Sequence, residues 1–279
     1  MGGAIASTLS RAGFELTLWN RHEAKAKALA AELGATPALT PAAATKASEV
    51  VLTSLADDAA VRAVYLAAEG IVSGVSAGAI VIDTSTVDPE TTRVIGAAVD
   101  ETGASFVDCP VSGSVQSVEA GTLTIMAGGE REVISRAEPV LDALSSRLVH
   151  TGPRGTGAAT KLAVNALVHG LNIALCEALV LAERAGIDRL TAYEVFASGA
   201  AGAPFVQYKR QAFETPEKTP IGFTIDLVEK DLELITGLAA RVGAPMDQAR
   251  LGLDLVKRAV AAGFGDNDLS AIAQYLRTT

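Results

Sequence analysis

Two short apolar runs, Ala79-Ile80-Val81-Ile82-Asp83 and Ser105-Phe106-Val107-Asp108-Cys109, decide the fold class. Each has the length and the β-branched or aromatic content of a buried strand. A helical pattern over residues 89–102 separates them, and earlier strand-like runs over residues 14–19 and 49–54 also alternate with helical stretches. This alternation predicts an α/β fold with a doubly wound, parallel sheet that is covered by helices on both faces.

The strand pattern stops after about residue 155. Residues 156–185 form one long helical pattern, and several shorter helical stretches follow, separated by glycine- and proline-rich breaks. Helices without strands indicate an all-α unit. We therefore predict two domains: a nucleotide-binding domain over residues 1–154 and an all-helical domain over residues 155–279, which the long helix enters.

Composition and charge exclude several classes of protein. The chain has 279 residues, of which 49% are hydrophobic and 20% charged, as in soluble globular proteins. Its net charge of −9 argues against a nucleic-acid partner, because such binding depends on basic patches. The two cysteines, Cys109 and Cys176, form no CxxC pair, so we expect buried free thiols and no metal site.

The most apolar long stretch, residues 162–182, is not expected to cross a membrane, because Asn165, His169, Asn172 and Glu177 lie within it. The amino terminus lacks the basic start and apolar core of a secretory signal. Together these features predict a cytoplasmic protein.

The predicted sheet would bind a dinucleotide at the carboxyl ends of its strands. A glycine-rich turn between the first strand and the first helix normally holds the pyrophosphate, but this chain opens at Met1-Gly2-Gly3-Ala4-Ile5-Ala6, already in a helical pattern. The first strand and two glycines of the turn are missing. Since that strand is central, its absence would leave unpaired backbone groups, and we expect an upstream segment to supply it. A truncated, weakly binding protein is the alternative.

Arg21 follows the strand-like run that ends at Trp19-Asn20. An acidic residue there would hold the ribose hydroxyls of NAD, whereas an arginine suits the 2′-phosphate of NADP. Lys25, one helical turn further on, adds positive charge. The sequence thus favours NADPH over NADH, although an exposed arginine with no ligand would look the same.

Six further segments stand out along the chain. They are Leu55-Ala56-Asp57, Asp83-Thr84-Ser85-Thr86-Val87-Asp88-Pro89, Asp108-Cys109-Pro110-Val111-Ser112-Gly113-Ser114, Gly121-Thr122-Leu123-Thr124, Gly152-Pro153-Arg154-Gly155-Thr156-Gly157 with Lys161 and Asn165, and Asp226-Leu227-Val228-Glu229-Lys230-Asp231-Leu232. Their residues and their order resemble the β-hydroxyacid dehydrogenase family, which includes 3-hydroxyisobutyrate dehydrogenases, tartronate semialdehyde reductases and glyoxylate/succinic semialdehyde reductases. The resemblance covers nearly the whole chain and has Cys109 where alanine is usual.

The resemblance implies a Rossmann-like first domain, a second domain similar to the C-terminal domain of 6-phosphogluconate dehydrogenase, and a homodimer or homotetramer. It also implies roles for particular residues. Lys161 and Asn165 would be catalytic, and Ser112, Gly113 and Ser114 would bind substrate. Met1, Gly2, Leu55, Ala56, Thr86 and Lys230 would contact the cofactor. Asn20, Arg21 and Lys25, at the end of the strand-like run discussed above, would contact it as well.

The chemistry of Lys161 agrees with this resemblance. Hydride transfer to a carbonyl builds negative charge on its oxygen, and a proton donor placed there lowers the barrier. Lys161 and Asn165 are four residues apart and so share a helix face. We therefore expect an NAD(P)-dependent oxidoreductase that interconverts a short 3-hydroxy acid, or a 2-hydroxy acid, with its semialdehyde or 2-oxo acid, and whose substrate bears a carboxylate.

Two other functions stay open on the sequence. A related imine reductase would act on a C=N bond, but those relatives generally lack the catalytic lysine. A dinucleotide-binding scaffold without turnover would explain the missing glycine turn, but it would not need a positioned proton donor at Lys161.

Overall fold

The computed structural model describes all 279 residues, which divide into two compact units, Met1–Lys161 and Leu162–Thr279. The first unit contains every strand. These are β1 (Thr17–Leu18), β2 (Thr36–Pro37), β3 (Val50–Thr53), β4 (Ile80–Asp83), β5 (Ser105–Asp108), β6 (Val111–Ser112), β7 (Leu123–Gly128) and β8 (Ser145–Gly152).

The helices of the first unit are α1 (Gly2–Arg11), α2 (Glu23–Leu33), α3 (Pro41–Thr45), α4 (Asp58–Leu66), α5 (Ile71–Gly74), α6 (Pro89–Asp100), α7 (Val115–Glu119) and α8 (Arg131–Asp142). The long helix α9 (Thr156–Arg184) begins in the first unit and continues through the second. The division between the units thus falls inside α9, at a residue seven positions beyond the predicted boundary (161 − 154).

The larger sheet has the order β3-β4-β5-β7-β6, with β8 paired to β7. Strands β3, β4 and β5 are parallel, as predicted, whereas β7 runs antiparallel to β5 and β6. The α/β fold class is therefore confirmed, and the sheet also has an antiparallel part that the sequence analysis did not include. Strand β8 gave little signal because all of its residues are exposed or only half-buried.

Both faces of this sheet are covered. Along β4, Ile80 and Ile82 pack in a core with Ile5 of α1, whereas Val81 packs in a second core with Val61 of α4 and Ile95. Successive side chains of a strand point to opposite faces, so one buried apolar run supplies both cores.

Strands β1 and β2 form a separate two-stranded parallel sheet. Only Thr17 and Leu18 of the run over residues 14–19 form a strand. β1 and β3 are each paired on one side only, and these two strands would flank the first strand of a doubly wound sheet. The expected upstream strand stays a prediction.

The second unit is helical, as predicted. After α9 it contains α10 (Arg189–Ser198), α11 (Pro204–Glu214), α12 (Ile225–Val242), α13 (Asp247–Ala259) and α14 (Ile272–Thr278), with short 3₁₀ or π turns at Pro216–Lys218, Val260–Phe264 and Leu269–Ala271. Its core joins Cys176 and Leu179 of α9 to Val228 and Leu232 of α12.

Helix α9 is long and apolar enough to cross a membrane by length and composition alone. Yet Asn165, His169 and Asn172 are buried on it and form hydrogen bonds with other segments of the second unit. Buried polar side chains that bond to other segments of the same unit are typical of the core helix of a globular domain.

Candidate active site

Several predicted cofactor residues lie two or three residues beyond the ends of strands. Asn20 and Arg21 follow β1, Leu55 and Ala56 follow β3, and Thr86 lies in the loop after β4. The Asn20 side chain accepts a hydrogen bond from the backbone N–H of His22 at 2.9 Å, so it helps to begin α2. Arg21 and Lys25 are exposed.

A buried polar network holds the loops after β3 and β4 together. One carboxylate oxygen of Asp83 accepts hydrogen bonds from the hydroxyls of Thr53 and Ser85, each at 2.7 Å, and the Ser85 hydroxyl accepts from the backbone N–H of Leu55 at 2.9 Å. Tyr65 bonds to Thr53 at 2.8 Å. Burial raises the pKa of Asp83, with the hydrogen bonds from Ser85 and Thr53 opposing the shift. The network fixes the Leu55 backbone, which was predicted to face the cofactor.

The amino terminus of α1 is suited to an anionic group. The helix begins after Met1, which makes no side-chain capping bond, and no acidic residue lies in its first turn. Its first N–H groups therefore have no side-chain acceptor, and they lie at the positive end of the helix dipole. A Cβ added at Gly2 would approach only Ser54, at 3.7 Å, so the surroundings of Gly2 leave room for a ligand. These features fit the pyrophosphate of a dinucleotide.

The predicted substrate residues form the turn between β6 and α7. Ser114 caps the start of α7. Its hydroxyl accepts a hydrogen bond from the Ser117 N–H at 3.3 Å, and the Ser117 hydroxyl accepts one from the Ser114 N–H at 3.1 Å. Gly113 has φ +142°, and a Cβ there would lie 2.8 Å from both Leu123 and Ser117 side-chain atoms. The hydrogen bonds of Ser114 begin α7, and packing against Leu123 and Ser117 requires glycine at position 113, so the substrate-binding role of Ser112, Gly113 and Ser114 stays a prediction.

Asp108 holds the start of α9 against the sheet. Its two carboxylate oxygens accept hydrogen bonds from the backbone N–H groups of Gly155, at 2.8 Å, and Ala158, at 2.9 Å. Burial raises the pKa of Asp108 to about 6, and the two N–H groups oppose that shift. Gly157 must be glycine, because a Cβ there would lie 2.5 Å from the Met126 carbonyl oxygen. Gly157 therefore allows the start of α9 to pack closely on β5 and β7.

Lys161 is half-buried on α9, and Asn165 lies one turn further along the same helix. The Asn165 amide nitrogen donates to Oδ2 of Asp231 on α12 at 2.6 Å. A carboxylate can only accept, so this bond determines which way the amide points and turns its carbonyl oxygen away from Asp231. The pKa of Asp231 is lowered: burial acts to raise it, but the hydrogen bond from His169 and the charge of Lys230 outweigh burial.

Lys230 was predicted to reach the cofactor. Its ammonium lies 2.9 Å from Oδ1 of Asp231, so the two side chains form an ion pair. Its side chain is only 22% exposed, so it is more enclosed than a lysine on a solvated helix face.

Sequence reasoning gave no role to four side chains that hold the predicted site segments in place. They are Asp83, Asp108, His169 and Asp231. Asp83 and Asp108 end buried strands, and that position was the available signal. Asp231 lay in a quoted motif without a role. His169 follows Asn165 by four residues, a spacing that places both on one face of α9.

Cys109 and Cys176 are buried and unpaired, in agreement with the sequence analysis. Burial raises the pKa of the Cys109 thiol well above its usual value, with the charges of Asp108 and Asp83 adding to the effect. A thiol that stays protonated is a packing group rather than a nucleophile.

Comparison with known proteins assigns both units to one family. Residues 1–152 match the NAD-binding domain of 6-phosphogluconate dehydrogenase, and residues 155–276 match the NAD-binding domain of NADP-dependent 3-hydroxyisobutyrate dehydrogenase. The chain is 32% identical to glyoxylate/succinic semialdehyde reductase 1 of Arabidopsis thaliana over 99% of its own length and 95% of that protein. It is 34% identical to the 3-sulfolactaldehyde reductase of Escherichia coli over its full length and 93% of that protein.

Solved structures agree. The 3-hydroxyisobutyrate dehydrogenase of Mycobacterium tuberculosis, determined with L-serine, superposes with a TM-score of 0.86 at 28% identity and covers 99% of this chain and 96% of its own. An imine reductase from Pseudomonas sp. superposes with a TM-score of 0.65 at 23% identity, over 99% of this chain and 96% of its own, which shows the fold alone.

The chain belongs to the β-hydroxyacid dehydrogenase family. It is an NAD(P)-dependent oxidoreductase of the hydroxyacid dehydrogenase class that transfers a hydride between the nicotinamide cofactor and its substrate. The scaffold without turnover finds no support in these relatives, which are named as reductases and dehydrogenases.

Proposed function

We propose that the protein reduces the carbonyl group of a short acid-bearing aldehyde or 2-oxo acid to a hydroxy acid, with Lys161 as the general acid. Succinic semialdehyde, glyoxylate and tartronate semialdehyde are the first candidates, and the names of the relatives support this substrate class. The observation that carries the proposal is the Asn165 amide, which Asp231 fixes on the helix that bears Lys161.

When bound, the nicotinamide supplies the hydride to the carbonyl carbon. Negative charge then develops on the carbonyl oxygen, and the Lys161 ammonium donates a proton to it. In the reverse direction the neutral amine accepts the hydroxyl proton. Because its nitrogen is held by Asp231, Asn165 presents its carbonyl oxygen as an acceptor, either for the Lys161 ammonium or for the substrate hydroxyl. The Ser112 hydroxyl and the backbone at Gly113 would hold the acid group.

The experiment is Lys161→Ala, assayed for NADPH oxidation with the three candidate substrates. Loss of a positioned general acid is expected to lower kcat by about 100-fold or more while NADPH affinity stays within about twofold of wild type. Lys257→Ala is the matched control, since Lys257 is half-exposed on α13 and pairs with Glu233. Substantial turnover by Lys161→Ala would show that Lys161 is not the general acid.

We also propose that NADPH is preferred over NADH. Arg21 is exposed at the end of β1 and Lys25 lies one turn into α2, so both can meet a 2′-phosphate. A similar structure, 25% identical with a TM-score of 0.89, was determined with NADP⁺. Fluorescence titrations with the two cofactors test the preference, and equal dissociation constants would contradict it.

A homodimer or homotetramer in the cytoplasm is proposed as the working form. Leu167 and Leu181 are 75% and 72% exposed on α9, and Leu251 on α13 is 72% exposed. Large apolar side chains in such numbers favour burial against another copy. The acidic net charge supports the absence of a nucleic-acid partner. Light scattering of the purified protein measures the assembly, and a monomer at micromolar concentration would refute it.

A further inference from the structure

The proposed mechanism leaves the buried histidine of the second unit unused. His169 lies on α9, four residues after Asn165, and is only 2% exposed. Its Nε2 lies 3.1 Å from Oδ2 of Asp231, the same oxygen to which the Asn165 amide donates at 2.6 Å. Since a carboxylate offers no proton of its own, Nε2 is the donor in this bond.

The position of the His169 ring is determined by packing as well as by this bond. Its centroid lies 5.9 Å from that of Phe223, with the rings inclined by 35°. The remaining nitrogen, Nδ1, is buried and has no partner. Its single hydrogen bond to Asp231 is therefore the polar contact that justifies burying a histidine here.

Asp231 is held from two directions. Oδ2 receives the two hydrogen bonds, whereas Oδ1 lies 2.9 Å from the Lys230 ammonium. Without the His169 donor, Lys230 would be the dominant partner of the carboxylate, and rotation of Asp231 towards it would weaken the bond to Asn165. An amide that loses its acceptor can turn over and present nitrogen where oxygen is needed.

We propose that His169 is a positioning residue for the reaction: its Nε2–H holds the Asp231 carboxylate in the orientation that fixes the Asn165 amide. This inference rests on the proposed function of the Lys161 helix. His169 does not contact the reacting atoms; it acts through Asp231 and Asn165.

The test compares two substitutions of nearly equal shape. His169→Gln keeps an N–H donor at the end of the side chain, whereas His169→Met fills similar volume without one. The readout is the single-turnover rate of NADPH oxidation per cofactor-binding site, with the sites counted by titration. If His169 only stabilised the fold, its replacement would lower the number of cofactor-binding sites but not the single-turnover rate at each site.

His169→Met is expected to slow single turnover about tenfold, the effect of losing one hydrogen bond to a charged group, whereas His169→Gln stays within about threefold of wild type. The NADPH dissociation constant should change less than twofold in both. Equal rates in all three proteins, equal slowing in both variants, or a loss confined to the number of sites would each overturn the proposal. If His169→Met does not fold, His169→Asn, whose amide is too short to reach Asp231, takes its place.

Lys161→Ala in the same assay separates this inference from the proposed function. Turnover that is lost in Lys161→Ala but intact in His169→Met would leave the proposed function standing and reject the role of His169. Turnover retained in Lys161→Ala would reject the proposed function itself.

Discussion

Replacing Gly157 by alanine gives a test in which two physical effects have opposite signs. In an open helix, glycine to alanine stabilises by about 1 kcal/mol, because glycine loses more backbone entropy on folding. At Gly157 the new Cβ would lie 2.5 Å from the Met126 carbonyl oxygen, 2.7 Å from that of Asp108 and 2.8 Å from Oδ2 of Asp108. Two of these atoms belong to the backbone of β5 and β7, which cannot move without disturbing the sheet.

Overpacking of this kind costs about 1–3 kcal/mol, and the shortest of these distances places the cost towards the upper end of that range. After the gain in helix propensity is subtracted, the net loss for Gly157→Ala is about 1–2 kcal/mol. Because the Cβ also pushes against the carboxylate that holds the start of α9, kcat should fall together with stability.

Gly237→Ala is the matched control. Gly237 lies within α12, and a Cβ there would meet only the Arg241 side chain at 3.8 Å, an ordinary contact. It should gain up to about 1 kcal/mol. Urea unfolding followed by circular dichroism measures both variants, and fluorescence of Trp19, the single tryptophan, reports the first unit separately. If Gly157→Ala is as stable as wild type or more stable, the close packing of α9 on the sheet is refuted.

Two further predictions concern charge. Burial raises the pKa of the Asp108 carboxyl to about 6, above the unfolded value of about 3.9. The folded chain therefore binds the carboxyl proton more tightly than the unfolded chain does. The stability that this proton contributes is present below about pH 4 and is lost as the pH rises through 6. Relative to wild type, Asp108→Asn should therefore gain about 2 kcal/mol of unfolding free energy between pH 4 and pH 7, on top of a constant offset; parallel profiles in urea unfolding would contradict the shift. Arg21→Ala should weaken NADPH binding about tenfold and NADH binding less than twofold, as measured by fluorescence titration, and equal losses would show that Arg21 does not bind the 2′-phosphate.

The sequence predicted the elements whose signal is local. The runs ending at Asp83 and Asp108 are apolar and β-branched or aromatic, so β4 and β5 could be identified without tertiary information. The glycine- and proline-rich breaks of the second unit likewise mark the helix ends, as at Gly243, which has φ +71°. Strand β8 was missed because it is exposed or half-buried along its length and is a strand only through pairing with β7.

The polar contacts of the site could not be predicted in this way. The bond between Asn165 and Asp231 joins residues 66 positions apart, and the bonds of Asp108 to Gly155 and Ala158 span 47 and 50 positions. No local pattern encodes such pairs. Resemblance to a family supplied the identities of Lys161 and Asn165, but it did not show what orients them.

The orientation of the proposed catalytic helix is thus supported separately in each unit. In the first, the Asp108 carboxylate accepts two N–H groups from the first turn of α9, and Gly157 lets the helix approach the sheet. In the second, Asp231 holds Asn165 and His169 on the next turns. A side chain that must meet a carbonyl oxygen within a few tenths of an ångström gains precision from a helix whose backbone and side chains are held by such bonds. Because both carboxylates bond to α9, we expect their loss to slow hydride transfer more than it weakens cofactor binding.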